Sequence, residues 1–318
     1  MTRVEDLEGK EGQRVTAIAR VLIEDGLLAE VTPAEDDRWL AHELASLIEL
    51  RRGEVIAPSA LPDPRQNPWL PRVTYDADLG AMRTSSYAPF WLLDDGRRVG
   101  IVVLGASGGP PTLNVSSLFV LPEHRGRGVA KRLLERLVVG FQAAGLRDLR
   151  LDADWCASRA VRFYLARGMW VRMWKRGLQL DWNPRQPRWS VVVDGDVARF
   201  VVGDRELIVA RRTGERLVEW QVAPKLDFDI WLPAEMTFSV ALALRGFPLI
   251  TTDEESAEQL EEGFSDGGGP VALAFKIQGW EAWARERGWR VDAPRVPGLP
   301  TAEEAAEAKL VKKVLAKP

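Results

Sequence analysis

Apolar positions along this chain switch repeatedly between helical spacing and strand alternation, which predicts helices and strands mixed along the whole length. Val15, Ile18 and Leu22 share one face of a helix over 11–25 that Gly26 closes. A short strand over 27–31 leads to Thr32-Pro33-Ala34-Glu35, a capping box with proline at the first helical position. The helix it starts buries Leu40, Leu44, Leu47 and Ile48. Pro58, Pro62, Pro64, Pro68 and Pro71 exclude regular helix or central strand over 53–73, leaving a loop that carries Trp69. Apolar runs over 89–93 and 99–104 flank Asp94-Asp95-Gly96, a hairpin signal. A Gly/Pro loop over 105–112 leads into a strand over 113–121, which Pro122 ends. From Val129 on, Leu133, Leu134, Leu137, Val138 and Phe141 recur at helical spacing, with Gly145 at the C-cap.

A strand over 148–154, a helix, and a hairpin of 169–174 with 178–182 follow. Asn183-Pro184-Arg185-Gln186-Pro187 reads as a linker. Beyond it, alternation over 190–194, 198–202 and 206–210 predicts a β-meander, with further strands over 217–222 and 228–232 and a helix over 234–244. Thr252-Asp253-Glu254-Glu255 caps another helix start, 271–277 reads as a strand and 280–287 as a short helix. A last helix, acidic at its start and basic at its end, begins at Thr301.

Composition narrows the class. At 318 residues the chain is longer than one average domain, so two domains are expected. A net charge of −3 gives no global argument for nucleic acid or an anionic membrane as partner. Cys156 is the single cysteine, which excludes an internal disulfide framework and suits a reducing, cytoplasmic setting. The first residues lack the apolar run of a signal peptide, and no apolar run reaches transmembrane length. The 13 tryptophans imply large aromatic clusters.

The chemistry concentrates between the 113–121 strand and the helix from Val129. There Arg125-Gly126-Arg127-Gly128 joins strand to helix, so that glycines permit close backbone approach and N–H groups stand at the positive end of a helix dipole. Such a turn suits a phosphate or pyrophosphate. It is neither a Walker loop, lacking Gly-Lys-Ser/Thr, nor a dinucleotide fingerprint of three spaced glycines. Arg125-x-x-Gly128-x-Ala130, directly after Leu118-x-Val120-x-Pro122, resembles the acyl-CoA loop of the GNAT N-acetyltransferase superfamily. Ala160-x-x-Phe163-Tyr164-x-x-x-Gly168 resembles that family's second signature and follows at the right distance.

The resemblance implies an α/β (α+β) fold with a GNAT-like mixed central sheet flanked by helices, as an acyl-CoA-binding domain over 27–183. The linkers and the strand and helix pattern outside it add an N-terminal helical extension over 1–26, a second α+β domain over 188–293, where no family resemblance is seen, and a helical tail over 301–318. The resemblance implies an enzyme that transfers acetyl from acetyl-CoA directly to an amine, with acetyl-CoA as co-substrate and no metal. The acceptor is a small molecule or a protein. Implied donor contacts are Leu118, Phe119 and Val120 on the strand, and Arg125, Gly126, Arg127, Gly128, Val129, Ala130 and Lys131 in the turn and helix start. A backbone N–H near Val120 would face the acetyl carbonyl, and Arg125 would help with the pyrophosphate. Tyr164 takes the position that protonates the CoA thiolate, or else closes its helix against the sheet. Asp152 takes that of an acidic base, or else is a strand-end charge, and Asp154 is its neighbour on the same strand face. Trp170, Arg172 and Trp174 alternate on one strand and either receive the acceptor or pack on the second domain. Ala157 stands where the family carries Asn, which keeps open a CoA-binding sensor or scaffold that no longer catalyses.

Overall fold

A computed structural model describes residues 9–52, 55, 57–61, 87–108, 111–153, 158–174, 178–183, 186–212, 218–223 and 228–245. The 53–73 loop with Trp69 lies almost wholly outside them; so do Asp154, Cys156, Ala157 and everything expected beyond 245. Contacts divide the chain into two compact units, Met1–Leu151 and Asp152–Pro318.

The first unit is built on a mixed sheet of order β1-β2-β3-β4-β5, from β1 (Leu28–Glu30), β2 (Tyr87–Asp94), β3 (Arg97–Gly108), β4 (Pro111–Val120) and β5 (Asp148–Ala153). All neighbours are antiparallel except β4 and β5, which run parallel. Helix α1 (Gly9–Glu24) buries Val15, Ile18, Ala19 and Leu22 and packs on β3 and on α3 (Val129–Ala143). Helix α2 (Asp36–Arg52) packs on β3 and β4. Its Trp39, Leu40 and Leu44 join Trp91, Ile101, Val103 and Phe119 in one buried cluster, and Trp39 Nε1 donates to the Phe90 carbonyl at 3.2 Å.

Local signals account for these boundaries. The capping box forms as a 3-10 turn, Pro33–Glu35, ahead of α2: Thr32 N–H and Oγ1 both donate to the Glu35 carboxylate, at 3.2 and 2.9 Å. Both α1 and α3 close in Schellman geometry. Gly26 N–H donates to Ile23 O and Leu27 N–H to Leu22 O; Gly145 N–H donates to Gln142 O and Leu146 N–H to Phe141 O. One expectation is corrected here. Residues 105–108 and 111–112 are paired strand and not loop, with Ala106 opposite Leu113 and Gly108 opposite Pro111. Pro111 is tolerated because it is the first residue of its strand.

The second unit contains α4 (Ser158–Leu165), an antiparallel hairpin of β6 (Trp170–Trp174) and β7 (Leu178–Trp182), and a four-stranded antiparallel sheet of order β11-β10-β9-β8. That sheet comprises β8 (Trp189–Asp194), β9 (Val197–Val202), β10 (Arg205–Arg212) and β11 (Val218–Val222). The expected meander is present, but Phe228–Leu232 is not a strand. It begins α5 (Phe228–Leu244), which continues through Pro233. Helix α5 packs on β6, and its Phe238 lies 5.5 Å from Phe200, which in turn neighbours Trp170 and Trp189. Thr237, fully buried, accepts from the Val171 N–H at 2.9 Å and donates to the Pro233 carbonyl at 2.6 Å.

Candidate functional site

The site forms where β4 parts from β5. Their register begins at Thr112 with Asp148 and ends at Val115 with Leu151, although β4 runs on to Val120. A shift in the β3–β4 register at the same level, between Val103 with Ser117 and Leu104 with Val115, leaves Ser116 as the extra residue. Bulges increase local twist, and here the bulge falls where pairing on the β5 side stops.

Backbone direction past the bulge follows from two hydrogen bonds. Leu121 N–H donates to Val99 O, so it points toward β3. Strand groups alternate in direction, so the amides of Leu118 and Val120 point to the opened side. In agreement, the Val120 carbonyl is taken by Arg125 Nε at 2.8 Å and not by β3. Gly100 permits the close approach that holds this segment on β3: a Cβ there would meet the Phe119 carbonyl oxygen at 2.0 Å.

After β4 the chain makes a 3-10 turn, Pro122–His124, and then the Arg125–Gly128 turn. Gly128 is the N-cap of α3 at φ 81°, a left-handed conformation costly for residues with a Cβ. No side chain caps α3, and its first helical bond runs from Arg132 N–H to Gly128 O. The N–H groups of Val129, Ala130 and Lys131 therefore have no intrahelical acceptor. Gly126, Arg127 and Gly128 are exposed to solvent beside them.

The basic side chains of this turn are engaged by the protein itself. Arg125 forks onto Glu49 of α2, Nη1 to Oε1 and Nη2 to Oε2, both at 2.6 Å, and lies over the Phe119 ring at 5.4 Å. Arg127 reaches the Glu123 carbonyl at 3.2 Å. Arg132 pairs with Asp94 and donates to the Arg127 carbonyl. The turn is thus held rigid by its side chains and presents backbone N–H groups outward, the arrangement that binds a phosphate.

Two carboxylates on α2 escaped the sequence reading. Glu43 accepts from Ser117 Oγ on β4 at 2.9 Å, and Glu49 holds Arg125; both are buried. Glu43 stands four residues after Trp39 and three after Leu40, a spacing that puts it on the buried face. The same helix carries His42, whose Nδ1 lies 2.8 Å from the Arg38 carbonyl and whose ring meets Trp91 edge-on. Burial pushes the His42 imidazole below its usual pKa, reinforced by Arg38 and Arg98 and only partly opposed by that hydrogen bond and Glu123.

Tyr164 lies in the second unit, and Asp152, next to last in β5, is the residue at which that unit begins. Tyr164 is buried in the last turn of α4, edge-on to Phe163. Burial pushes its hydroxyl up to about 12. Its carbonyl accepts from Met169 N–H while Gly168 N–H reaches Leu165 O, a third Schellman closure. Asp152 is exposed on β5. Trp170 is buried beside Phe200 and Arg172 pairs with Asp181 at 2.5 Å, so these two side chains are engaged in packing within their own unit.

Both quoted motifs, the turn and the end of α4, fall inside one family match. Residues 86–168 match the acetyltransferase (GNAT) domain family. No curated protein matches the chain. Among solved structures, an acetyltransferase from Thermus thermophilus is 21% identical, over 49% of this chain and 95% of that one, with a TM-score of 0.37. The PaiA N-acetyltransferase of Thermoplasma acidophilum, solved with coenzyme A, is 10% identical over 49% and 97%, TM-score 0.36. A GNAT family acetyltransferase of Elizabethkingia anophelis with acetyl-CoA bound is 12% identical over 33% and 82%, TM-score 0.30. At these TM-scores the likenesses bear no weight; what stands is the GNAT domain match over residues 86–168. Among the described residues no helix is long and apolar enough to cross a membrane.

Proposed function

We propose that this protein is an acyl-CoA-dependent N-acyltransferase that moves acetyl from acetyl-CoA directly to an amine of a small molecule or a protein. The observation that carries the reading is the opened β4 edge beside an uncapped, glycine-led helix start, both inside the GNAT match. In this reading the amides of Val129, Ala130 and Lys131, with the Arg125–Gly128 backbone, take the pyrophosphate. The Leu118–Val120 edge takes the arm that carries the thioester, and the Val120 N–H steadies the oxyanion. The amine nitrogen attacks the thioester carbon, a C–N bond forms and the C–S bond breaks. The amine proton passes to a base, for which Asp152 is our candidate, and the leaving thiolate receives a hydrogen bond or proton.

Tyr164 is our candidate donor to that thiolate. At about 12 its hydroxyl keeps its proton near neutrality, so a hydrogen is present to give. Thiols titrate near 8.5, well below the tyrosine, so complete transfer would run uphill, and stabilisation of the sulfur by a hydrogen bond is the easier role. Residues 27–183 make up the donor domain in this reading, and the 188–293 region shapes acceptor choice. The single Cys156 suits a cytoplasmic setting.

Calorimetry with acetyl-CoA tests the reading. Wild-type protein is expected to bind it, and Gly128→Glu to abolish binding while circular dichroism stays that of a folded chain. Undiminished affinity in the folded variant would remove the turn from the donor site. Ala157, in place of the family's Asn, favours the second reading, a CoA-binding sensor or scaffold. Binding without transfer to any member of an amine panel would select it.

A further inference from the structure

Arg125 opens the Arg-x-x-Gly-x-Ala motif, and its charge invites the assignment of pyrophosphate contact. Its hydrogen bonds give it another occupation. Nε donates to the Val120 carbonyl at 2.8 Å, while Nη1 and Nη2 fork onto the two oxygens of Glu49 at 2.6 Å each. The guanidinium also lies over the ring of Phe119, next to Val120. Every nitrogen of the fork thus has a protein partner, and Glu49 is itself buried at 7% exposure. A bidentate guanidinium–carboxylate pair fixes position and angle together, which a lysine in place of the arginine could not do.

The fork completes the hold on the Val120–Leu121 peptide, whose N–H already donates to Val99 O. Among the described residues no strand pairs with the carbonyls of the opened edge on the β5 side, because that pairing ends at Val115. Arg125 stands in for the missing strand at the Val120 carbonyl. In extended backbone the Val120 N–H and carbonyl point to the same side of the strand, and they lie in adjacent peptide planes joined at one Cα, so anchoring the carbonyl narrows the directions open to the N–H. Glu49, reaching from α2, fixes the arginine that does the anchoring.

We infer that Glu49 and Arg125 form a positioning pair that aims the Val120 N–H at the acyl carbonyl, and that Arg125 is not a principal pyrophosphate ligand. This deepens the transferase reading and rests on it. Glu49 acts here through Arg125, and Arg125 through the Val120 peptide, so both are positioning residues.

The test reads the acyl carbonyl itself and needs no acceptor. Acetyl-CoA carrying carbon-13 in its carbonyl is bound to the full chain, and the carbonyl stretch is recorded by difference infrared spectroscopy beside calorimetric affinity. Wild-type protein is expected to lower the stretching frequency on binding. Glu49→Gln and Arg125→Lys, both checked for folding by thermal melts, are expected to lose most of that shift with acetyl-CoA affinity changed by less than about threefold. The double variant is expected to do no more than either alone, since the two residues act as one unit. Adenosine 3′-phosphate 5′-diphosphate, a fragment that keeps the pyrophosphate and lacks the thioester, is expected to bind all variants equally. An unchanged carbonyl shift in either folded single variant overturns the inference. So does a tenfold or larger loss of fragment affinity in Arg125→Lys, and so does wild-type binding with no shift. Absence of any acetyl-CoA binding by wild-type protein would instead bring down the transferase reading, and the inference with it.

Discussion

Helices α3 and α5 solve opposite problems. Helix α3 is amphipathic: Val129, Leu133, Leu134, Leu137 and Phe141 are buried along one face, and its first turn is left uncapped toward solvent. Helix α5 is buried nearly all round from Ala234 to Leu244, with Thr237 and Ser239 among its buried residues. The first helix leaves its leading N–H groups without side-chain caps and uses its apolar side chains for anchoring. The second spends backbone and side chains alike on the interior. Opening of the α3 start would leave most of its apolar face in place, whereas α5 from Ala234 to Leu244 cannot lift without exposing interior.

Tyr164→Phe draws the functional side of that contrast most sharply. It deletes one hydroxyl and keeps the ring, so kcat is expected to fall about 100- to 10,000-fold with acetyl-CoA affinity little changed. Steady-state kinetics with an amine found by panel screening would check it; near-normal turnover would leave Tyr164 a packing residue. On the structural side, Phe238→Ala is expected to cost about 3–5 kcal/mol in urea unfolding, because it empties a site against Phe200. Acetyl-CoA binding per folded molecule should be unaffected, and its loss would tie α5 to the donor site. A smaller effect is expected of Thr237→Val, about 1–3 kcal/mol, since the Val171 N–H loses its buried acceptor.

The smallest effect concerns acid. The folded state holds His42 below its usual value of 6.5, chiefly through burial, so it binds fewer protons there than the unfolded chain does. The stabilising contribution is complete above about pH 6.5 and is lost as pH falls toward and through the lowered folded value. His42→Gln should flatten the melting-temperature profile on the acid side of neutrality. An unchanged slope would assign that limb to carboxylates instead.

The same contrast explains what the chain discloses in advance. The α3 stripe, the turn before it and the glycines at helix ends are legible because each rests on a local rule of spacing or cap chemistry. The start of α5 reads as strand because Phe228, Ile230 and Leu232 alternate with period two just ahead of Pro233, a residue that ordinarily interrupts a helix. The 105–112 segment reads as loop because its glycines and prolines outweigh the pairing that a long hairpin imposes. Within the site, the backbone turn is visible, but the partners of Arg125 are not. Glu49 lies 76 residues away in sequence, and acidic residues on a helix ordinarily read as solvent face. The parting of β4 from β5 is expected only through family resemblance, since no local signal marks where a parallel neighbour stops.

The hydroxyl of Thr237 has a meaning beyond the interior it helps close. It takes up the Val171 N–H on the side of β6 away from β7, so this strand does not present that donor as an open edge. An unpaired edge amide is the template on which a strand from another molecule can add. A single buried hydroxyl thereby acts against chain-to-chain strand addition at β6, and its removal would make the association of separate molecules depend on how often α5 lifts from that edge.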